Sequence, residues 1–83
     1  DTILKTLLEK LNELYDWESS AIEIEFKNLM NKNHLALGQI MKPVRFAICG
    51  SVNGPSLYSV MALLGRDSCI YRLDCALNFL GNN

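Results

Sequence analysis

The 83-residue chain is predicted to be all-α, a compact bundle (a helical cage) of about five helices. Apolar residues recur every three or four positions in five successive segments, which is the period of a helix buried along one face. Glycine, proline and asparagine separate the segments, and none alternates apolar and polar residues over the length of a convincing strand. The short connections favour antiparallel neighbours within a single unit spanning residues 1–83.

Two helices are predicted in the first part of the chain. Asp1 or Thr2 can cap the first, and its apolar stripe comprises Ile3, Leu4, Leu7, Leu8, Leu11, Leu14 and Tyr15. The second is predicted over about residues 17–32, with a stripe of Ile22, Phe26, Leu29 and Met30. The polar run 31–34 predicts its end, because asparagine tolerates the left-handed conformation that closes helices.

A third helix is predicted from about Gly38 to Cys49, with Ile40, Val44, Ala47 and Ile48 on its apolar face. Pro43 fits if it falls in the first turn, where its missing N–H matters little, and deeper in the helix it would produce a kink. A loop follows over residues 50–55, which include the turn formers Gly50, Asn53, Gly54 and Pro55.

The last two helices are predicted to be separated by a single glycine. Ser56 can cap the fourth, whose stripe is Leu57, Val60, Met61 and Leu64, and Gly65 stops it. The fifth is predicted to start at Asp67 or Ser68 and to end at Gly81, with a stripe of Ile70, Leu73, Leu77 and Leu80.

Composition and charge bound the possible functions. Residues 1–37 hold four lysines against seven acids and so carry −3, whereas residues 38–83 carry +2, from Lys42, Arg45, Arg66 and Arg72 against Asp67 and Asp74. The second half is therefore the better candidate for contact with a polyanion. The apolar runs are too short to span a bilayer and no signal peptide is visible, so a cytoplasmic location is predicted. A start at Asp1 rather than Met is compatible with a piece of something longer.

No catalytic residue and no metal ligand is predicted. His34, Cys49, Cys69 and Cys75 match a zinc site in number, but none stands in a CxxC or HxxxH arrangement. An odd cysteine count indicates free thiols in a reducing compartment. His34 is interpreted as an exposed or capping residue. A Cys–His nucleophile pair lacks a third, orienting group, and residues 50–54 lack the lysine and hydroxyl residue of a phosphate loop.

The second half offers a different kind of site. An arginine beside a rigid proline and an apolar side chain can bind an unstacked base, because the guanidinium bonds or stacks while the apolar groups cover the base face. Arg45, Pro55 and Leu57 provide these groups. Spacing alone favours the simpler alternative, in which Arg45 bonds carbonyls of the 50–53 loop and Leu57 belongs to the core.

Three blocks of sequence carry a resemblance. KPVRFAICG at residues 42–50 resembles x-P-L/V-R-x-A-L/I-T/C-G, and GPSL at 54–57 resembles S/T/G-P-x-L. LLGRD at 63–67, followed by RLDCAL at 72–77, resembles L-L-G-K/R-D/E and then R-L-x-x-A-L. In this order and with these gaps, the blocks resemble the C-terminal anticodon-binding domain of bacterial-type glutamyl-tRNA synthetases, which are class I aminoacyl-tRNA synthetases. The resemblance is strong over residues 38–80 and loose before them.

The resemblance implies an all-helical fragment of glutamate–tRNA ligase that reads the anticodon of glutamate tRNA. Carried over by position, the anticodon-binding residues are Arg45, Gly54, Pro55 and Leu57. Gly54 stands where some members carry Ser or Thr, so a hydroxyl contact is lost there, and Cys49 replaces the commoner Thr. ATP and Mg²⁺ would belong to an upstream catalytic domain that this chain lacks, so the fragment is predicted to be inactive alone and to hold no cofactor.

The implied partner is the anticodon loop of glutamate tRNA, with no membrane or DNA partner and a monomeric parent enzyme. The alternative hypothesis is a helical protein-interaction module with no RNA role, whose apolar faces dock on a partner. A zinc-binding mini-domain is a third option that the cysteine and histidine spacing disfavours.

Overall fold

A computed structural model describes residues 2–51 and 54–81. Over these ranges the chain forms five helices: α1 (Thr2–Asn12), α2 (Ser19–Asn33), α3 (Leu37–Cys49), α4 (Leu57–Leu64) and α5 (Arg66–Gly81). No strand occurs in the described ranges, so the predicted all-α class is confirmed. Helix α5 packs against α1, α3 and α4, while α2 packs against α1 and α4. The radius of gyration is 11.7 Å, close to the value of about 12 Å expected for a compact chain of this length.

The core lies where the apolar stripes of the five helices meet. Its fully or nearly fully buried members are Leu7, Leu11, Ile22, Phe26, Leu29, Met30, Ile40, Val44, Ile48, Leu57, Met61, Cys69 and Leu73. Most of them come from the predicted stripes. On α5, Cys69 is buried together with the predicted Leu73, whereas the predicted core residue Ile70 is only half-buried. The rings of Phe26 and Tyr58 meet edge to face, with centroids 5.3 Å apart.

The first helix is shorter than its apolar stripe predicts. Glu13 N–H donates to both Glu9 O and Lys10 O at 3.2 Å, and Leu14 N–H donates to Leu11 O at 3.2 Å. Such bonds to the residue three positions back tighten the last turn and rotate the following residues off the stripe. The placement of Tyr15 on the buried face is therefore wrong, since its side chain is 95% exposed.

The end of α2 confirms one prediction and refines another. His34 is the C-cap residue, with φ 55° and ψ 43°, and its side chain is exposed, as predicted. The histidine rather than an asparagine adopts the left-handed conformation. At its other end α2 begins at Ser19, so Trp17 lies outside the helix in the connection from α1.

Helix α3 contains Pro43 as its seventh residue, well beyond the first turn. Of the two positions that the sequence left open for Pro43, the structure shows the deeper one. The proline has no N–H to donate to Gln39 O, and its ring is exposed. The helix begins one residue before Gly38, and the Gln39 side chain accepts the Ala36 N–H at 2.7 Å.

The junctions of the last two helices follow the predictions closely. Ser56 occupies the N-cap position of α4 but makes no side-chain capping bond, and Gly65, at φ 89° and ψ 159°, ends the helix. Such a conformation is essentially restricted to glycine. Helix α5 begins at Arg66, one residue before Asp67, the earlier of the two predicted starts. The predicted cap at Asp1, the loop residue Asn53 and the side chain of Leu80 lie outside the described residues.

Candidate nucleic-acid interface

The structure brings three of the four predicted site residues together where α3 passes the loop that precedes α4. Arg45 Nη1 donates a hydrogen bond to Pro55 O at 2.7 Å. A Cβ built on Gly54 would lie 3.5 Å from the same Nη1. Arg45, Gly54 and Pro55 therefore form one cluster, which we call the Arg45 rim. The carbonyl that Arg45 bonds is that of Pro55, two residues beyond the 50–53 carbonyls of the simpler alternative.

The Arg45 rim faces solvent. Gly54 and Pro55 are exposed and Arg45 is half-buried. A guanidinium presents five N–H groups in a planar fork, so Arg45 can hold the Pro55 carbonyl and also donate to a ligand. The exposed pyrrolidine ring offers a rigid apolar surface beside this cation. A cation and a flat apolar surface together suit the edge and the face of an unstacked base.

Leu57 occupies a different environment from the other three. It is the first residue of α4, and its side chain has no exposed surface. The simpler alternative, in which Leu57 belongs to the core, describes the side chain correctly, and a base contact through that side chain is not accessible in this conformation. Its main-chain N–H lies in the first helical turn, where N–H groups lack intrahelical partners. The buried Leu57 side chain therefore holds the end of the loop against the core.

The conformation of Gly54 suits a glycine at the position where some family members carry Ser or Thr. Its φ is 147°, a value that side chains with a Cβ rarely adopt. A serine or threonine at this position would be strained if the loop kept the same path. The glycine therefore matches the local backbone, and its exposed main chain lies beside the Arg45 guanidinium.

The other motif arginines hold the fold together. Arg66 Nη2 donates to Leu14 O, and the guanidinium lies over the Trp17 ring at 5.7 Å from its centroid. Arg72 Nη1 donates to Ile48 O near the end of α3. Both bonds join segments far apart in sequence. The arginines of the last motif block are therefore structural, a role that sequence reasoning missed because no local pattern reports such partners.

The cysteines and the histidine do not form a reactive group in the described residues. Cys49 and Cys75 are exposed, whereas Cys69 is buried and its Sγ contacts Met61 O at 3.4 Å. Burial raises the pKa of the Cys69 thiol from 9.0 to about 11, against a smaller lowering by Arg72. Within residues 2–51 and 54–81, no three His, Cys, Asp or Glu side chains lie close enough to hold a metal ion. None of the helices in these ranges has the length and hydropathy needed to cross a membrane.

Comparison with known proteins identifies the family of the chain. Residues 1–77 match the family described as the anticodon binding domain, and the chain belongs to that family. Within it, the chain is homologous to the C-terminal region of glutamate–tRNA ligases. The glutamate–tRNA ligase of Geotalea uraniireducens is 35% identical over 78 residues, covering 94% of this chain and 17% of that protein. The Thermus thermophilus enzyme is 33% identical over 75 residues, covering 90% and 16%.

A more distant relative shows the same coverage. The glutamate–tRNA ligase of Flavobacterium johnsoniae is 28% identical over 78 residues, covering 94% of this chain and 16% of that protein. The chain thus spans about a sixth of the length of these relatives, and the match is to their anticodon-binding region and does not include the catalytic domain. No solved structure matches the chain.

Proposed function

We propose that this chain reads the anticodon of glutamate tRNA as the C-terminal part of a glutamate–tRNA ligase, an enzyme that attaches glutamate to its tRNA using ATP. The observation that carries the proposal is the hydrogen bond of 2.7 Å from Arg45 Nη1 to Pro55 O. This bond gathers Arg45, Gly54 and Pro55 at one exposed rim. The family membership and the three glutamate–tRNA ligases above support the same assignment.

The chemistry of the rim suggests how a base would be held. Arg45 supplies charge-assisted donors to a base edge or a phosphate, and its planar fork is already oriented by the bond to Pro55 O. The Pro55 ring covers one face of the base. The main chain at Gly54 and Leu57 supplies the remaining polar contacts, while the buried Leu57 side chain keeps the loop in place.

The division of labour follows from the region matched. ATP, Mg²⁺ and the transfer of glutamate belong to the catalytic domain of the longer enzyme, for which we propose a monomeric state and a cytoplasmic location. This chain has no catalytic role of its own in the proposal. The +2 half carries the rim, and the −3 half faces away from the RNA or towards another part of the enzyme. Binding by the isolated chain is weak and depends steeply on salt, because phosphate contacts release counterions.

The direct test is a titration of the 83-residue chain with an RNA hairpin that carries a glutamate anticodon in its loop. At low salt, amide resonances near Arg45 and Leu57 shift on addition of the hairpin. Arg45→Ala weakens binding about tenfold, as expected for a charge-assisted bond worth about 1.5 kcal/mol. Lys10→Ala, which removes an exposed cation from the acidic half, is the matched control and leaves the affinity within about twofold.

The result that contradicts the proposal is a hairpin titration in which the resonances near Arg45 and Leu57 do not move. A complementary measurement uses the full-length enzyme. There Arg45→Ala weakens tRNA use and leaves activation of glutamate by ATP nearly unchanged, because the rim lies outside the catalytic domain. Equal loss in both reactions assigns Arg45 a structural role and rejects the anticodon contact.

A further inference from the structure

The exposed face of α3 carries a second feature beside the Arg45 rim. Phe46 follows Arg45 directly, and its ring is 61% exposed. Lys42 precedes it by four residues, so both side chains lie on the same face of the helix. The family pattern leaves position 46 open, and packing does not explain a phenylalanine that stays largely in solvent. An exposed aromatic ring one turn from a cation is a common arrangement in proteins that bind single-stranded nucleic acid.

Phe46 forms one wall of a groove between α1, α3 and α5, with a volume of about 690 Å³. Leu4, Leu73 and Leu77 are among its apolar lining residues. The charged residues that line it are Lys42 and Arg72, both cations, and no acidic residue of the described ranges lines it. An apolar trough with cationic edges complements a ligand that has a flat apolar face and a negative charge. A nucleotide has both.

We propose that Phe46 stacks on a second unpaired nucleobase of the same RNA strand, while Lys42 faces a phosphate of that strand. The inference rests on the proposed function and extends its contact surface. Consecutive residues of a helix point about 100° apart, and with a helix radius of about 5–6 Å the outer positions of Arg45 and Phe46 are separated by about 8–9 Å. Stacked nucleotides repeat at about 3.4 Å. One single-stranded triplet can therefore reach both residues.

The stacking contact adds affinity with little base specificity, because every base has a π face. Arg45 and the main chain of the 54–57 loop then provide the hydrogen bonds that distinguish bases. Because stacking and base discrimination are assigned to different groups, a substitution at position 46 tests stacking alone. Stacking predicts that an aromatic residue at position 46 is required and that an apolar residue of similar size is not sufficient.

The test compares Phe46→Leu, Phe46→Trp and the unchanged chain in titrations with the same RNA hairpin. Phe46→Leu weakens binding roughly 5- to 100-fold, whereas Phe46→Trp keeps the affinity. In Phe46→Trp, addition of the hairpin also quenches indole fluorescence beyond the change shown by Trp17 in the unchanged chain. Tyr15→Leu, at a side chain 95% exposed in the acidic half, is the control and leaves binding unchanged. Because Phe46 is largely exposed, its replacement leaves the fold intact, and circular dichroism melting verifies this.

Other outcomes overturn the inference in distinguishable ways. If Phe46→Leu binds like the unchanged chain while Arg45→Ala does not, the stacking role is wrong and the proposed function stands. If the unchanged chain fails to bind the hairpin, both are wrong. If the molar mass of the unchanged chain in solution rises with its concentration and that of Phe46→Leu does not, the groove binds a second copy of the chain. A lower melting temperature of the longer enzyme in Phe46→Leu, with unchanged tRNA affinity, assigns it to another segment of that enzyme.

Discussion

Two joints in the molecule use the same kind of hydrogen bond in different surroundings. At the Arg45 rim, a guanidinium holds the Pro55 carbonyl at the surface, next to an exposed glycine and proline. At the second joint, Arg66 donates to the Leu14 carbonyl while its guanidinium lies over the Trp17 ring. Trp17 Nε1 in turn donates to Met61 O at 2.8 Å. We call this second set of contacts the Trp17 joint.

The Trp17 joint connects helices, and the Arg45 rim shapes a surface. Met61 O accepts bonds from Trp17 Nε1, the Gly65 N–H and the Cys69 thiol, so segments from the α1–α2 connection, α4 and α5 meet at one carbonyl. The Arg45 bond joins one helix to an adjacent loop. Loss of Trp17 or Arg66 should therefore affect the fold first, and loss of Arg45 should affect the ligand first.

The largest effect is expected from Trp17→Ala. It removes a half-buried ring, the bond to Met61 O and the surface on which Arg66 lies, and it lowers the free energy of unfolding by about 3 kcal/mol. Urea denaturation measures this, and Trp17→Phe separates the ring from the hydrogen bond, with an expected loss of about 1 kcal/mol. A Trp17→Ala variant within about 1 kcal/mol of the unchanged chain contradicts a role for the joint in holding the helices.

The most direct comparison replaces one arginine of each set of contacts by methionine and measures both stability and RNA binding. Arg66→Met lowers the free energy of unfolding by about 2 kcal/mol, because a charge-assisted bond and the contact of the cation with the indole are lost. Arg45→Met changes it by less than about 1 kcal/mol but weakens binding of the RNA hairpin about tenfold. Arg66→Met keeps its RNA affinity at a temperature where it is folded. Paired urea denaturation and RNA titrations of both variants measure the two effects. Equal behaviour of the two variants contradicts the distinction between the Arg45 rim and the Trp17 joint.

The smallest effect is expected from the Cys69 thiol of the Trp17 joint. Its pKa is about 11 in the folded chain against 9.0 ordinarily, because burial disfavours the thiolate. A raised pKa gives a contribution to stability that is fully present below pH 9 and is lost as the pH rises through 11. The difference in unfolding free energy between the unchanged chain and Cys69→Ala therefore shrinks by about 1 kcal/mol from pH 8 to pH 10. A difference that stays constant with pH shows that the thiol is not desolvated. Urea denaturation at the two pH values checks it.

Sequence reasoning recovered most of the helices because local signals set their limits. Gly65 and His34 mark helix ends through left-handed or glycine-restricted backbone, and the apolar period gave the buried faces. It failed where the tertiary setting overrides local preference. Tyr15 continues the apolar period of α1, but the helix has already tightened and ended at Asn12. The sequence left the position of Pro43 open, and the structure places it inside α3, where its exposed position lets the fold accept a missing bond.

The candidate site divides in the same way. Arg45 and Pro55 could be singled out from the sequence, because an arginine, a proline and a tight loop form a recognisable chemical set. The burial of Leu57 was also predicted, by the apolar stripe of α4, against the base contact that the resemblance implies for its side chain. The exposure of Phe46 could not be predicted, because it is an apolar residue in an apolar helix and only the packing of the neighbouring helices decides whether it faces solvent.

The sequence by itself determined the helical period, most of the helix ends, the charge division and the motif blocks that identify the family, because each depends on residues close together in the chain. Only the tertiary structure decided which arginine is structural and which borders the exposed rim. Arg45 and Pro55 are ten residues apart, Arg66 and Leu14 are separated by 52, and Trp17 and Met61 by 44. Such partners meet only after the helices pack, and their burial then decides whether a side chain stabilises the fold or remains accessible to a ligand.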